Sequence, residues 1–497
     1  MTAAATATAA GSLSCRADGS RASAPAAGAG ASPGAVDDET GFVDVPPQES
    51  GSPFPARMFY VFEAADGDAA SRPLAVFMAG GPGYPSSLEL LPFGTARATL
   101  ASPTAPSVPP APNSASWTSF ANLLFVDERQ SGFSYELRDE SAPATSDAAA
   151  GCAFSPMGDA ADFVRVVLAF LDSHPTLQAA PVVLVGQSYG GERATLMLDL
   201  LLRYSTEAPP VDPALEAMIQ AHWDAVFPGL AGTVVDPAVA VTQFGWVVLL
   251  QPFVLGGLQY AEQSELVPSD PYVGAVDAGQ DPYDVRQPDG WSRNIDDTPT
   301  AVLTSFANAA SLLAADPRSI PLMAPPARPG AFRVVGTTDP VQEQMNAAWS
   351  AELGALDAAD RYLVVPATAC PVGESLYTGP GSQDAFVANL RSGVQTFITD
   401  ARYDAVIYAP AIPAALEQFG AVTVDTTARA GVARPGWFTV SFDPDGGAAA
   451  LESDQDGGPA PAIEIRFPPY DDSGHFVAVA QPQALHDDVA AWLLATP

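Results

Sequence analysis

The stretch PVVLVGQSYGGERATLMLDLLL at residues 181–202 constrains the fold of this chain more than any other feature. It begins with a short apolar run rich in β-branched residues, which predicts a strand covered on both faces. Gly186 and Gly190 stand two places before and two places after Ser188. Small residues at these positions let a strand turn sharply into a helix and expose a hydroxyl at the turn. The stretch therefore predicts a buried strand, a tight turn that presents Ser188, and a helix.

Further strand-like runs of the same kind lie at residues 73–78, 122–127 and 394–399. Helical patterns at residues 158–173 and 483–494 each place their apolar residues on one face. Helices interleaved with buried strands are typical of an α/β domain. We therefore predict a mostly parallel sheet with helices on both faces.

Composition divides the chain into four parts. Residues 1–50 are rich in Ala, Gly, Ser and Pro without a period, which indicates a disordered leader or linker, or the remnant of an export signal. Residues 51–204 and 366–497 carry the strand and helix patterns, and we assign them to the core. Residues 205–365 are rich in Pro and Asp with patchy amphipathic pieces, and we interpret them as a largely helical cap inserted over the active edge of the sheet.

The net charge of -36 at pH 7 argues against nucleic acid as a partner, because nothing on such a chain would neutralise phosphates. No apolar run reaches the length of a transmembrane segment. The N-terminal segment lacks the basic region of a signal peptide, while LSC at residues 13–15 is similar to a lipoprotein cleavage site and makes Cys15 a candidate for a lipid anchor. We expect an exported protein (periplasmic, cell-surface or secreted), with a cytoplasmic location as the alternative.

The remaining cysteines depend on that location. In an exported chain Cys152 and Cys370 could pair and leave Cys15 over, whereas in a cytosolic chain all three would be ordinary thiols. The cysteine spacing supports no zinc site, and the chain has 4 histidines. We therefore expect neither a metal nor another cofactor.

The ends of the predicted strands carry residues suited to nucleophilic catalysis. AGGPG at residues 79–83 follows one strand, and glycine backbones can present bare N–H groups to an oxyanion. A serine hydroxyl also needs a base to take its proton and a carboxylate to hold that base. His475 lies in a predicted loop before the final helix, and Asp400 and Asp404 follow the strand at residues 394–399. The order Ser, Asp, His is the one that α/β-hydrolases use.

Five segments together resemble the serine carboxypeptidases, especially their bacterial members. In chain order they are GGPG, FVDERQSGFSY, GQSYGG, ARYD and SGHFVAVAQPQAL. The resemblance implies an α/β-hydrolase fold and a peptidase that forms an acyl-enzyme on Ser188. It implies His475 as general base and then acid, with Asp404, in preference to Asp400, orienting it. It also implies an oxyanion hole made by the backbone N–H groups of Gly81 and Tyr189.

Other positions depart from that family. Its members bind the free substrate carboxylate with an asparagine directly before GGPG, a glutamate directly before the nucleophile, and a second glutamate. This chain has Ala79 and Gln187 at the first two positions and Phe93 near the third. Gln187 can still donate a hydrogen bond to a carboxylate, so Gln187, Gly80 and Ala79 are the predicted substrate-binding residues. The departures argue against strict recognition of a C-terminal carboxylate.

We predict a serine hydrolase that acts on peptide or small acyl substrates. One alternative is a prolyl-aminopeptidase-like enzyme, since those relatives also carry GGPG and a D-x-R segment similar to Asp127–Arg129. Another is an esterase or acyltransferase. A hypothesis of a different class is that the chain is a non-catalytic exported binding protein, which kept the fold but no longer binds the substrate of the family.

Overall fold

The structure is a computed structural model, and it describes part of the chain. The described residues are 15–16, 36, 38–48, 51–83, 85–89, 94–99, 111–129, 131, 134–136, 154–205, 212–266, 381–402, 404, 407–429, 432, 434–442, 462–471 and 473–495.

Sixteen strands and nine α-helices lie in these residues. The strands are β1 Cys15–Arg16, β2 Glu39–Val45, β3 Ala56–Glu63, β4 Leu74–Met78, β5 Ala98–Thr99, β6 Ala111–Pro112, β7 Asn122–Val126, β8 Tyr135–Glu136, β9 Val182–Gln187, β10 Trp246–Leu250, β11 Gln395–Ile398, β12 Asp400–Ala401, β13 Gly420–Asp425, β14 Trp437–Phe442, β15 Ile463–Arg466 and β16 Pro469–Tyr470. The helices are α1 Pro156–Ser173, α2 Gly190–Arg203, α3 Pro213–Val226, α4 Pro237–Phe244, α5 Gly256–Leu266, α6 Gln383–Arg391, α7 Ala411–Leu416, α8 Val477–Ala480 and α9 Pro482–Ala495.

One large sheet organises the described part of the chain. Its strand order is β1-β2-β3-β7-β4-β9-β10-β11-β15-β14-β13, with β8 paired to β3. The six strands from β7 to β15 run parallel, and the strands on both flanks are antiparallel. The predicted parallel core is therefore confirmed, and antiparallel strands extend it at each side.

Both faces of the sheet are covered, as β4 illustrates. Leu74, Val76 and Met78 pack into one apolar cluster, together with the buried faces of α1 and α2. Ala75 and Phe77 point to the opposite cluster, which contains residues of α9. Side chains of a strand alternate between its two faces, so two helical layers account for the continuously apolar sequence of the strand. This arrangement is the α/β-hydrolase fold that the sequence predicts.

The predicted central helices are also confirmed. The helix predicted at residues 158–173 is α1, whose N-terminus is capped by Ser155 Oγ accepting from the Gly158 N–H. Its predicted apolar face is buried, including Phe163, Val167 and Phe170. The helix predicted at residues 483–494 is α9, with Trp492 packed against Phe397 of β11.

Two predicted boundaries differ from the structure. Residues 39–45 fall in the predicted leader, but they form β2, because Val43 and Val45 are buried against β3 and its neighbours. The lipid-anchor candidate Cys15 lies in β1, which pairs with β2. Phe93, Cys152 and Cys370 lie outside the described residues.

The described part of the predicted cap contains a strand of the central sheet, and residues 267–365 of that predicted cap lie outside the described residues. Residues 246–250 form β10 at the centre of the sheet, between β9 and β11, because the run WVVLL is apolar on both of its faces. Helices α3 and α4 pack on α1 and α2 and so belong to one helical layer of the core. After α5 the described chain resumes at Gly381, where Ser382 Oγ donates to the Val254 carbonyl and Gln383 Nε2 to the Leu255 carbonyl, both at 2.6 Å.

Among the described helices, none combines the length and the apolar character needed to cross a membrane.

Candidate active site

Ser188 lies at a sharp turn between β9 and α2. Its φ angle is 57°, a left-handed conformation that residues with a side chain rarely adopt. The turn is close-packed: a Cβ on Gly186 would lie 2.3 Å from the Gly190 carbonyl oxygen, and a Cβ on Gly190 would lie 2.2 Å from the Met78 carbonyl oxygen. The two glycines that flank the serine are therefore required by sterics, as the strand–turn–helix pattern predicts.

The end of β10 holds the backbone of Ser188 on both sides. The Ser188 N–H donates to the Leu250 carbonyl at 3.0 Å, and the Ser188 carbonyl accepts from the Phe253 N–H at 3.0 Å. The strained turn is thus fixed by the neighbouring parallel strand, at the carboxyl edge where open α/β sheets place their sites.

His475 and Asp404 form a buried pair at the same edge. His475 Nδ1 lies 2.8 Å from Asp404 Oδ2, and Asp404 Oδ1 accepts from the Ile407 N–H at 2.9 Å. Asp404 is fully buried and His475 is 8% exposed. The short parallel pair β12–β16 aligns the two loops that carry these residues.

Asp400, the alternative acid, does not take this position. Burial raises its pKa to about 6, and the nearby carboxylates of Asp471 and Asp404 act in the same direction. No hydrogen bond between Asp400 and His475 is present among the described contacts, whereas the Asp404 bond is short and buried.

Gln187 links the histidine loop to the serine turn. Its Nε2 donates to the His475 carbonyl oxygen at 2.9 Å. Because a carbonyl only accepts, this contact fixes which end of the amide faces the loop. Gln187 is 2% exposed, and its Oε1 is buried without a partner among the described residues. The residue directly before Ser188 thus anchors His475.

The AGGPG turn packs directly on Ser188. A Cβ on Gly80 would lie 2.6 Å from Ser188 Cβ and 3.1 Å from the Tyr189 backbone nitrogen. Gly81 has a φ angle of 107°, which favours glycine. The segments that carry the two predicted oxyanion donors, Gly81 and Tyr189, are therefore in contact.

Arg193 holds this turn from behind. Its guanidinium donates to the Ala79 carbonyl (Nη1, 2.6 Å), to Asp159 Oδ2 (Nε, 2.7 Å) and to Glu128. Glu128 Oε2 also accepts from the Gly83 N–H at 2.7 Å. Since Ala79 and Gly83 are the two ends of AGGPG, the Arg193–Glu128 pair clamps both ends of the turn.

Asp159 extends the same network to the elbow, because its Oδ2 accepts from the Tyr189 hydroxyl at 3.0 Å. Burial raises the pKa of Glu128 to about 8 and also raises the pKa of Asp159, since two carboxyl groups face one guanidinium away from water. The side chains of this network are all buried, namely Arg193, Glu128, Asp159 and Tyr189. The network is a preorganised support for the region around Ser188.

Sequence reasoning missed Gln251 and Arg193. Gln251 Nε2 donates to Asp404 Oδ2 at 2.8 Å, although Gln251 lies far from Asp404 in sequence. A polar residue directly after the apolar run WVVLL is the same signal that marks the other site residues, but that run lies within the predicted cap. Arg193 offered no local signal, because its partners come from three separate segments.

The predicted substrate-binding residues all lie around Ser188. Gly80 touches it, Gln187 precedes it, and the Ala79 N–H donates to Ser86 Oγ at 3.0 Å. No cluster of three or more His, Cys, Asp or Glu side chains with metal-binding geometry occurs in the described part of the chain. The arrangement supplies an imidazole oriented by a carboxylate, on a loop that is held by the residue directly before Ser188.

The fold and this constellation define the chain as a protein of the α/β-hydrolase fold with serine, histidine and aspartate at the carboxyl edge of its sheet. Residues 30–212 match the sequence model of the serine carboxypeptidase family. This range includes the AGGPG turn and the Ser188 elbow, so the resemblance to serine carboxypeptidases is confirmed there.

Two curated relatives come from Arabidopsis thaliana. Serine carboxypeptidase-like 44 is 30% identical over 176 residues, which are 34% of this chain and 31% of that protein. Serine carboxypeptidase-like 41 is 31% identical over 160 residues, which are 30% of each protein. The matched region spans about a third of the length of these relatives.

A solved structure similar to this chain is a prohormone-processing carboxypeptidase from Saccharomyces cerevisiae, Kex1. The similarity covers 92% of this chain and 91% of that one, with 12% sequence identity and a TM-score of 0.49.

Proposed function

We propose that this protein is a serine hydrolase of the carboxypeptidase type, which cleaves peptide or related acyl bonds through an acyl-enzyme on Ser188. The observation that carries the proposal is the buried hydrogen bond of 2.8 Å between His475 Nδ1 and Asp404 Oδ2. The His475 loop is held by Gln187, the residue next to Ser188. The family match over the elbow supports the same function.

In the proposed mechanism, Ser188 Oγ attacks the scissile carbonyl while His475 Nε2 takes the hydroxyl proton. Asp404 keeps the imidazole in the tautomer that has its proton on Nδ1, and it stabilises the imidazolium that forms. His475 then protonates the leaving group, and water repeats the sequence on the acyl-enzyme. The developing oxyanion accepts hydrogen bonds from the backbone N–H groups of Gly81 and Tyr189, and one such donor is worth roughly 100- to 1000-fold in kcat in other hydrolases.

This protein has fewer side-chain hydrogen-bond donors for the C-terminal carboxylate of a substrate than serine carboxypeptidases have. Ala79 offers no side-chain hydrogen bond, and its backbone N–H and carbonyl are bonded to Ser86 and Arg193. One Gln187 amide hydrogen is used on the His475 carbonyl. We therefore propose that a free C-terminal carboxylate contributes little to binding.

Fluorophosphonate labelling tests the hydrolase assignment without knowledge of the substrate. The probe phosphonylates a serine only when a base activates it, so wild type should be labelled and Ser188→Ala should not. Ser134→Ala, which changes another buried serine, whose hydroxyl donates to the Asp127 carbonyl, is the control that should keep labelling. A wild-type chain that folds and stays unlabelled would favour the non-catalytic binding protein.

Peptide substrates with one blocked end separate the remaining alternatives. An N-blocked dipeptide with a free carboxylate tests the carboxypeptidase mode, and a C-amidated dipeptide with a free amine tests the aminopeptidase mode. We expect turnover of the N-blocked dipeptide, with only a modest loss on amidation of its C-terminus. Because Gln187 and Phe93 stand where the family has its glutamate pair, we expect an optimum nearer neutral pH, and an optimum below about pH 5 would contradict this.

A further inference from the structure

We propose that Gln251 is a positioning residue for Asp404. We propose that catalysis by Ser188, His475 and Asp404 at neutral pH needs the side-chain amide of Gln251. The inference rests on the proposed function, because it assigns a role within the same site. Gln251 directly follows β10, is fully buried, and has a φ angle of 47°. A left-handed conformation at a residue with a side chain costs free energy and persists where the surroundings determine it.

Both ends of the Gln251 amide are bonded. Nε2 donates to Asp404 Oδ2 at 2.8 Å and to the Ile407 carbonyl at 3.1 Å. Oε1 accepts from the Ala401 N–H at 2.8 Å and from Thr399 Oγ1 at 3.1 Å. The amide therefore bridges the strand before the acid, the acid itself and the residues after it.

Asp404 Oδ2 is the oxygen that His475 Nδ1 also contacts. Gln251 and His475 thus donate to one oxygen, and the direction of the Gln251 amide fixes the plane of the carboxylate. Gln251 also limits how much negative charge the carboxylate presents to the imidazole, since a donated hydrogen bond stabilises a carboxylate anion.

The same short segment holds the nucleophile. Leu250 accepts from the Ser188 N–H, and Phe253 donates to the Ser188 carbonyl. Residues 250–253 therefore bond to the backbone of the serine and to the side chain of the acid. The position of β10 between β9 and β11 makes this possible, because the three strand ends lie next to one another.

Removal of the Gln251 amide has a direction that can be worked out. Without the donor, the Asp404 carboxylate attracts a proton on His475 more strongly, so the imidazole stays protonated and inactive to a higher pH. The labelling rate falls towards acid pH as His475 becomes protonated, and this part of the pH profile is called the acid limb here. The acid limb should then move to higher pH. Asp400 on β12 and Asp471 directly after β16 are titratable groups near Asp404. Both are unchanged in the variants, so they cannot cause a difference from wild type.

The test measures the rate of fluorophosphonate labelling between about pH 5 and pH 9 for wild type, Gln251→Met and Gln251→Glu. Gln251→Met keeps the length of the side chain and removes the amide. Gln251→Glu keeps acceptors for Ala401 and Thr399 but places a second carboxylate against Asp404. We expect the acid limb to move up by at least half a pH unit in Gln251→Met and further in Gln251→Glu, with a rate at neutral pH about tenfold or more below wild type.

Gln259→Met is the matched control. Gln259 is 1% exposed, its Nε2 donates to the Pro252 carbonyl at 2.9 Å, and its Oε1 accepts from the Val254 and Leu255 N–H groups. Gln259 is thus a similarly buried side-chain amide, located in α5, and none of these hydrogen bonds involves Asp404. We expect Gln259→Met to lower Tm and to leave the acid limb where it is in wild type.

The outcomes separate the two proposals. A wild-type chain that is not labelled overturns the proposed function, and with it the inference. A labelled wild type with an unmoved acid limb in folded Gln251→Met and Gln251→Glu overturns the inference alone. If Gln251→Met does not fold, Gln251→Glu decides, because it keeps the two hydrogen bonds from Ala401 and Thr399. In an Asp404→Ala background, Gln251→Met should change the labelling rate no further.

Discussion

At the scale of single residues, the site depends on a few buried polar side chains whose every contact is directional. The Asp404 carboxylate is fully buried, and its oxygens accept from His475, Gln251 and the Ile407 N–H. A buried carboxylate without such donors would be costly. Its orientation is therefore specified from several sides.

We expect Asp404→Asn to reduce kcat, or the labelling rate, by about 1000- to 10000-fold at neutral pH. Whichever way the asparagine amide turns, its NH2 group faces a donor: Ile407 N–H on one side, or Gln251 and His475 on the other. In the second orientation the histidine loses the acceptor that fixes its tautomer, and in the first the neutral amide oxygen carries no charge to stabilise the imidazolium. Rates measured beside wild type, with folding checked by circular dichroism, test this.

Asp400→Asn is the control for that experiment. Since burial raises the pKa of Asp400 to about 6, its charged form is unfavourable in the folded protein. Stability from the protonated group is complete below the unfolded pKa and is lost as the pH rises through about 6. Asp400→Asn should keep the activity and raise Tm above that pH. Loss of activity in Asp400→Asn, with Asp404→Asn active, would reverse the assignment of the acid.

The sequence predicts the reactive residues better than their supports. Ser188 and His475 stand in motifs whose spacing reflects the turn and the loop that present them. Gln251 has no such motif, because its partners are separated from it by more than a hundred residues and meet it only through the order of strands in the sheet. Supports of this kind depend on topology, which residue patterns do not encode.

At the scale of secondary structure elements, the AGGPG turn and the β9–α2 elbow fit together without space for a side chain. The contact is closest at Gly80, against Ser188 and the Gln187 carbonyl. The Arg193–Glu128 clamp holds the turn in this place. Any change that separates the two elements should move the oxyanion donors relative to the serine.

Gly80→Ala should therefore reduce the labelling rate by at least about 100-fold, a loss similar to that of one oxyanion donor. Its Cβ would lie 2.6 Å from Ser188 Cβ and 2.7 Å from the Gln187 carbonyl oxygen, so the turn must shift. Gly229→Ala is the control, since a Cβ there meets nothing within 4 Å. Equal rates for the two variants would show that the turn and the elbow move independently.

The elements themselves were predicted where the sequence pattern follows burial. Strands β4, β7, β9 and β11 read as apolar runs because helices cover both faces. Strand β10 has the same pattern, yet its proline- and aspartate-rich surroundings indicated a cap. Strand β2 follows a long Ala/Gly-rich stretch, and its burial depends on pairing with β3. Local composition was misleading at both positions because partners distant in sequence decide the outcome.

At the scale of the whole molecule, acidic side chains contribute to the net charge, and some of them lie in the buried interior. The net charge is -36. Burial raises the pKa of Glu89, Glu128 and Glu192 to about 8 each. As the pH rises, repulsion between surface charges increases and the buried carboxyl groups are driven to ionise, and both effects destabilise the folded state.

Thermal stability should therefore fall as the pH rises from about 4.5 to about 8. For Glu89, burial is the largest cause of the raised pKa, Asp127 adds to it, and Arg193 opposes it. The folded state keeps a proton that the unfolded state releases, so this contribution is complete below about pH 4.5 and is lost as the pH rises through about 8. Tm measured across this range should show a smaller fall for Glu89→Gln, with equal Tm at the acidic end.

Added salt separates the two causes. It screens repulsion between surface charges, but it has little effect on a buried carboxyl group. The difference between wild type and Glu89→Gln should therefore persist in high salt. A Glu89→Gln variant with the same slope as wild type in low and high salt would contradict the role of the buried group.

The described chain resumes after α5 at Gly381, and Ser382 and Gln383 donate there to the Val254 and Leu255 carbonyls, which precede α5. The two described parts of the chain thus meet at the segment whose Phe253 N–H donates to the Ser188 carbonyl. Mutations at Ser382 or Gln383 can therefore change the activity that a lineage inherits, although Ser188, Asp404 and His475 stay the same.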